Sequence, residues 1–243
     1  MRKIAIILLL IFISYCNSFT QDKTYSSKKI ELSKWHIGIN AGPGFPSGDF
    51  ASKDATMDKS GFAKFGYKVE VNGGYNFTKI IGIGIMAFLN SNGIDLEPLN
   101  NKLVSLYPGT SWTYEPKRWA VYGAMAGLTI KYPASKKLYF ETKILTGILK
   151  QNTPEFLFKE NYNTYRISEK SSSSFTYLVY LGAIYPIEKS LYLTIGAEYI
   201  GSNPFFENIQ IENLRNNVTT VTSSSYTQKM QMFNFTIGFK HTF

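Results

Sequence analysis

Imidazole and thiol chemistry has few places to occur in this sequence, which holds two histidines, His36 and His241, and one cysteine, Cys16. A hydroxyl nucleophile needs a histidine or comparable base steadied by a third group. A zinc site needs three or four nitrogen, sulfur or oxygen ligands converging. Neither histidine has a carboxylate, a cysteine or a second histidine at motif spacing. Gly82 and Gly84 sit inside an apolar alternating run with no helix pattern after them, so they do not form a phosphate loop. They fit small positions that make space for larger side chains. Seven charged residues remain: Lys68, Glu70, Lys131, Glu141, Lys143, Glu198 and Lys240. Each falls on the polar phase of an alternating segment. Opposite charges sharing a face could form an acid-base dyad, or could neutralise one another where water is scarce. Structural pairing is the expectation, and no catalytic residue, cofactor site or metal site is assigned. The chain is read as a non-enzyme.

The elements that would position these charges are eight segments with period-two alternation, each about as long as a tilted membrane-crossing strand. They run over residues 35–45, 65–77, 80–90, 119–132, 138–150, 174–185, 191–200 and from 229 to the end. In the second, Phe65, Tyr67, Val69, Val71, Tyr75 and Phe77 share one face, while Lys68, Glu70, Asn72, Gly74 and Asn76 share the other. The fourth is ambiguous because Ala and Gly occupy both faces; Tyr122, Leu128, Ile130 and Tyr132 are placed outward. Connections alternate between short turns (around 77–79, 133–137 and 186–190) and long polar stretches (46–64, 91–118, 151–173 and 201–228). Short turns on one side and long loops on the other are what a barrel threaded from the periplasm produces, with both ends returned to the periplasm. The expected fold is an all-β, eight-stranded antiparallel up-and-down transmembrane β-barrel with short periplasmic turns and long extracellular loops. In it, the seven charges line the lumen. His36 and His241 would both lie at the periplasmic rim, neighbours across the closing seam.

The ends agree with export. Arg2 and Lys3 precede an apolar run from Ile4 to Ile13, too short to span a bilayer, followed by small and polar residues, the layout of a secretory signal peptide. Residues 1–20 are read as the signal peptide, 21–34 as a periplasmic segment and 35–243 as the barrel. Tyr15 occupies the position before Cys16 where lipidation requires a small residue, so a lipid anchor is not expected. A cut after Cys16 leaves a chain without cysteine, compatible with an oxidising compartment. Aromatic residues make up 16% of the sequence, with 17 Tyr and 18 Phe, as aromatic girdles require. The formal charge is +9, but Lys and Arg are dispersed and form no stripe, which excludes a nucleic-acid partner.

The C-terminal strand places Phe233, Phe235, Ile237, Phe239, His241 and Phe243 on one side. Thr236, Gly238, Phe239, His241 and Phe243 resemble the insertion signal of outer-membrane barrels, with His241 departing from the usual apolar penultimate residue. That resemblance implies docking by the barrel-assembly machinery. With Gly38-Ile39-Asn40-Ala41-Gly42 followed by Pro46-Ser47-Gly48-Asp49-Phe50, the layout resembles the small outer-membrane β-barrel superfamily, PorT-like and OmpX/OmpW-like families included. PorT-like resemblance implies a role in secretion machinery. OmpX/OmpW-like resemblance implies surface interaction or passage of small apolar molecules. The expected surroundings are outer-membrane lipids.

The loops are the expected working surface. Tyr107 and Trp112 in the second, Phe156, Phe158, Tyr162 and Tyr165 in the third, and Phe205 and Phe206 in the fourth admit three roles. They could bind a protein partner or surface sugar, extend the wall above the membrane, or pack against one another. The leading functional expectation is a structural or interaction barrel, an accessory subunit of an envelope or secretion assembly. Two alternatives stand beside it: transport of small apolar molecules through a loop-lined pocket or lateral opening, and a secreted soluble ligand-binding barrel with its apolar face inward.

Overall fold

The computed structural model describes residues 34–57, 59–115, 117–135, 138–160, 163–215 and 218–243. The expected signal peptide, nearly all of the segment before the barrel, and Tyr162 lie outside these residues. Eight strands close into a barrel: β1 (Trp35–Ser47), β2 (Ala63–Asn76), β3 (Ile81–Ile94), β5 (Trp119–Pro133), β6 (Tyr139–Asn152), β9 (Ser171–Pro186), β10 (Leu191–Ser202) and β13 (Met230–Thr242). Every neighbouring pair is antiparallel, and the ring is sealed where β1 meets β13, from His36 opposite Thr242 to Ser47 opposite Gln231. The seam lacks ladder partners at Gly42 and Pro43, because proline has no N–H to give.

Closure leaves the wall no free edge, the condition for β-structure in a hydrocarbon phase. The phase of alternation then decides what touches what. Phe235 and Phe239 on β13 and Phe243 at its end are more than half exposed on the outside, whereas Lys68 and Glu70 are 0% and 1% exposed. This orientation removes the soluble-barrel alternative, which required the charged face to meet water. The outer surface carries Ile, Val and Leu in the middle. Aromatic clusters mark its two ends: Trp35 against Tyr75 and Tyr75 against Phe77 near the short turns, Phe45 against Phe65 and Phe235 near the long loops.

The three short turns use one design. Phe77 and Thr78 both donate to the Ile81 carbonyl, Ala134 and Ser135 to that of Leu138, and Ile187 and Glu188 to that of Leu191. Thr78 Oγ1 also accepts from the N–H groups of Ile80 and Ile81, closing the first of these turns with its own side chain.

On the long-loop side the chain is structured. Five further strands, β4 (Thr113–Tyr114), β7 (Phe156–Glu160), β8 (Asn163–Ile167), β11 (Phe205–Arg215) and β12 (Val218–Thr227), form a second sheet in the order β12-β11-β8-β7-β4. One helix, α1 (Glu97–Leu106), with Pro98 in its first turn, joins them. The sheet is stitched between loops: β8 of the third loop pairs with β11 of the fourth, and β4 of the second with β7 of the third. Among the described residues no helix is long and apolar enough to cross a membrane.

Candidate functional site

The seven charges meet inside the barrel in two layers. Near the short turns, Glu141 is the hub: Lys240 Nζ donates to its two carboxylate oxygens at 2.7 and 2.8 Å, Lys143 lies at 3.5 Å and Lys131 at 3.9 Å. Lys131 also donates to Asn76 Oδ1 at 2.7 Å. Further toward the long loops, Lys68 donates to Glu70 at 2.5 Å and to Glu198. Amides and a hydroxyl complete this second layer. Asn40 donates to Glu70 at 2.7 Å and accepts from Thr194 at 2.7 Å; Asn234 donates to Glu198 at 3.0 Å and accepts from Asn90 at 3.0 Å. Tyr180 separates the layers with its ring 4.5 Å from Lys143 Nζ. Its place depends on glycine, since a Cβ on Gly196 would lie 2.3 Å from that ring.

The periodicity put the charges on the inner face but did not single out Asn40, Asn90, Asn234, Thr194 or Tyr180 as their partners. The signal was the shared phase. A lone charge in this interior would lose its hydration without return, so paired charges are the arrangement that lets a polar lumen persist. They engage one another instead of facing an open cleft.

Above the second polar layer the lumen turns apolar. Val121, Leu145, Leu149, Leu178 and Ile200 are buried there and belong to the same apolar cluster as the core beneath the loops. Trp119, 1% exposed at the start of β5, closes the top: its Nε1 donates to the Gly61 carbonyl at 2.8 Å, and its ring meets Phe50 edge-on at 5.3 Å. Side chains thus fill the barrel from one end to the other, as its strand number leads one to expect.

The histidines part company. His36 lies opposite Thr242 and points inward, 4% exposed; His241 lies opposite Ile37, points outward and meets the Phe243 ring edge-on at 4.8 Å. They are on adjacent strands, but one residue of register sends them to opposite faces of the wall. Among the described residues, no group of three or more His, Cys, Asp or Glu gathers for a metal. Thr236 and Gly238 of the C-terminal signature line the interior, while Phe239, His241 and Phe243 face outward.

Most of the loop aromatics form the underside of the second sheet. Phe158 and Phe206 are fully buried, Trp112 and Phe156 nearly so, and Tyr107 and Tyr165 pack against them. Phe205, half exposed, differs. Of the roles open to these rings, packing against one another is the one the structure displays, and Phe205 is the most exposed of those described. Tyr107 also lies under the Arg215 guanidinium, 4.8 Å from ring centre to carbon.

Three loops are pinned at Glu155 on the sheet's solvent side. It accepts from Lys117 of the second loop and from Arg166 Nε of β8 at 2.5 Å; Arg166 Nη1 reaches Glu212 of β11 at 3.7 Å. Glu155, Arg166 and Glu212 border an open hollow of about 300 Å³ with Leu157, Thr164, Leu214 and Thr219. Hydrogen bonds from Lys117 and Arg166 hold the Glu155 carboxyl below the usual carboxylate range. A depressed folded-state value gives a contribution that is present above the unfolded value near about 4.3 and lost as pH falls through the folded one. Amide exchange in β7 and β8, corrected for intrinsic rates, should therefore quicken below about pH 4. Glu155→Gln should show the faster exchange already at neutral pH. Equal protection in the two proteins at neutral pH would remove Glu155 as the pin.

No protein-family model and no curated protein matches the chain. Solved structures do. A major outer membrane protein from Thermus thermophilus is 11% identical, with a TM-score of 0.50 over 85% of this chain and 98% of that one. The attachment invasion locus protein Ail of Yersinia pestis is 13% identical, TM-score 0.44, over 86% and 99%. OprG from Pseudomonas aeruginosa is 10% identical, TM-score 0.45, over 88% and 99%. At such identities the likeness is one of fold, and the first of the three carries it. A closed wall with an apolar belt, two aromatic girdles and a packed polar interior is an integral outer-membrane β-barrel in contact with lipid.

Proposed function

We propose that this barrel is a non-enzymatic, non-conducting scaffold that holds a β-sheet outside the cell and offers its edge to a partner strand, as an accessory subunit of an envelope assembly. The observation that carries the reading is β12. Among the described residues it is the end strand of the outer sheet, bonded on one side only to β11, and nearly all of it is exposed. Its ten residues, Val-Thr-Thr-Val-Thr-Ser-Ser-Ser-Tyr-Thr, contain no charge and no proline. Proteins ordinarily blunt such an edge with lysine, proline, a bulge or a cover, because an unpaired row of N–H and C=O groups invites another strand. An edge left unguarded at this length suits addition of an extended segment, where main-chain bonds give affinity and alternate side chains give selectivity.

Passage of small apolar molecules has less support. Inward of the Pro43 interruption in the seam, Asn90 and Asn234 bond to each other across the lumen. The hollow on the outer sheet opens to solvent rather than to the wall. The C-terminal strand is read, within the same proposal, as the address by which the assembly machinery inserts the barrel.

The test places lysines on the edge. Val221→Lys with Ser223→Lys should leave the barrel folded, as seen by its shifted mobility on unheated gels, while the complex extracted from native membranes in mild detergent shrinks to the mass of the bare barrel. A complex of unchanged mass would overturn the edge as the contact. Steady single-channel conductance of the purified wild type in planar bilayers would overturn the non-conducting scaffold.

A further inference from the structure

We infer that the outer rim of the wall, where β2, β3 and β5 meet the loops, holds a notch for the phosphate of a lipid headgroup in the outer leaflet. A bulge creates it. Ala63 pairs with Ile94 and Gly66 with Asn92, so Lys64 and Phe65 together oppose the single residue Gly93. Bulges re-aim side chains, and this one turns Lys64 and Phe65 both outward. Gly93 leaves the space between them and β5 open: a Cβ there would stand 3.6 Å from the Lys64 Cβ and meet nothing closer. On the far side of Gly93 comes Arg118, since Trp119 pairs with Asn92. Lys64 and Arg118 thus flank one glycine on the lipid-facing surface.

The arginine is held in place. Its Nε donates to Ser91 Oγ at 2.8 Å and its Nη2 to the Ser91 carbonyl at 3.0 Å, and the guanidinium lies 5.3 Å from the centre of the Tyr67 ring. Those bonds fix its plane without exhausting its five donors. Lys64 shares Asp95 with Lys53, at 3.3 and 2.6 Å. Counting Glu97 at the start of α1, three cations face two carboxylates, leaving net positive charge. A guanidinium fork and an ammonium carried on the two segments that flank Gly93 are donor types that phosphate takes.

Position selects the source of that phosphate. Phe65 and Tyr67 stand exposed at the notch, in the girdle that marks headgroup depth, and Val69 and Leu89 continue the apolar surface toward the membrane centre. A ligand with a phosphate joined to acyl chains satisfies both the cations and the greasy track beneath them. Free phosphate satisfies only the first.

The experiment uses the folded barrel purified in detergent. It is offered diphosphoryl lipid A, the same lipid dephosphorylated, or inorganic phosphate, and retained lipid is counted by native mass spectrometry. Wild type should retain the phosphorylated lipid about tenfold over the dephosphorylated one, the scale expected of one or two charge-assisted bonds. Lys64→Gln with Arg118→Gln should erase the preference. Gly93→Leu, which fills the notch while keeping both cations, should do the same. Lys79→Gln with Lys189→Gln, on the opposite rim, should keep it. Lys64→Gln alone, at an exposed side chain, covers the case in which the double variant folds poorly, and should at least halve the preference. Equal retention of both lipids by wild type, or a preference that survives loss of the cations, overturns the inference. Competition by inorganic phosphate at equal concentration overturns the lipid as the ligand.

Discussion

Replacing Glu141 with Gln should cost the folded barrel about 3–5 kcal/mol, the range measured when one member of a buried charge group is removed and its partners stay behind. Among the described residues, Glu141 is the only carboxylate in ion-pair range of Lys131, Lys143 and Lys240, and all four side chains are at most 5% exposed. An amide of the same shape keeps the packing and removes the charge, so the loss would be electrostatic. Lys240→Met provides the contrast. It leaves Glu141 beside Lys143 and Lys131, and should cost under about half as much, because the carboxylate keeps two cations and the seven lumen charges fall to three lysines against three glutamates. Urea unfolding from phospholipid vesicles, followed by tryptophan fluorescence, measures both. Equal losses in the two variants would mean that the hub at Glu141 carries no special weight.

That hub was half legible in the sequence. In β2 from Phe65 and in β13 from Phe233 the outer face is an apolar row interrupted only by Gly73 and, at the rim, by His241, so the phase of Lys68, Glu70 and Lys240 followed directly. In β5, Ala and Gly blur the two faces, yet Tyr122, Leu128, Ile130 and Tyr132 do point outward. The apolar upper lumen was not legible. Leu145 and Leu149 occupy the same phase as Glu141 and Lys143 lower on β6, and only closure of the ring shows that inward apolar residues gather at one level. Period tells face, not height.

The outer sheet was hidden for a different reason. Its pairings join separate loops, such as Ile211 with Ile167 and Thr113 with Lys159, and no local alternation specifies a partner in another loop. Local hints did exist. Phe156 and Phe158 alternate as strand residues do, and Val218 to Thr222 is wholly β-branched. Polar neighbours mask them, because polar stretches between apolar segments are the usual mark of a loop. The same hydrophobic rings that looked available for binding are the core that such a sheet requires, which is why their burial and the strands appear together.

Trp119→Ala should be the most damaging change at the junction of barrel and outer sheet, at about 3–5 kcal/mol. The indole fills the top of the lumen against Phe50, and its N–H satisfies the Gly61 carbonyl, so alanine leaves both a cavity and an unpaired acceptor. Trp119→Phe restores most of the volume without the donor and should cost about 1 kcal/mol. Both can be read from the midpoint of urea unfolding. Conductance then separates two places where the barrel could be shut. With Trp119 gone, the Lys68 and Glu141 layers still cross the lumen beneath it, and the variant should pass no more current than wild type. Channel openings in Trp119→Ala alone would locate the closure in the apolar cap rather than in the paired charges.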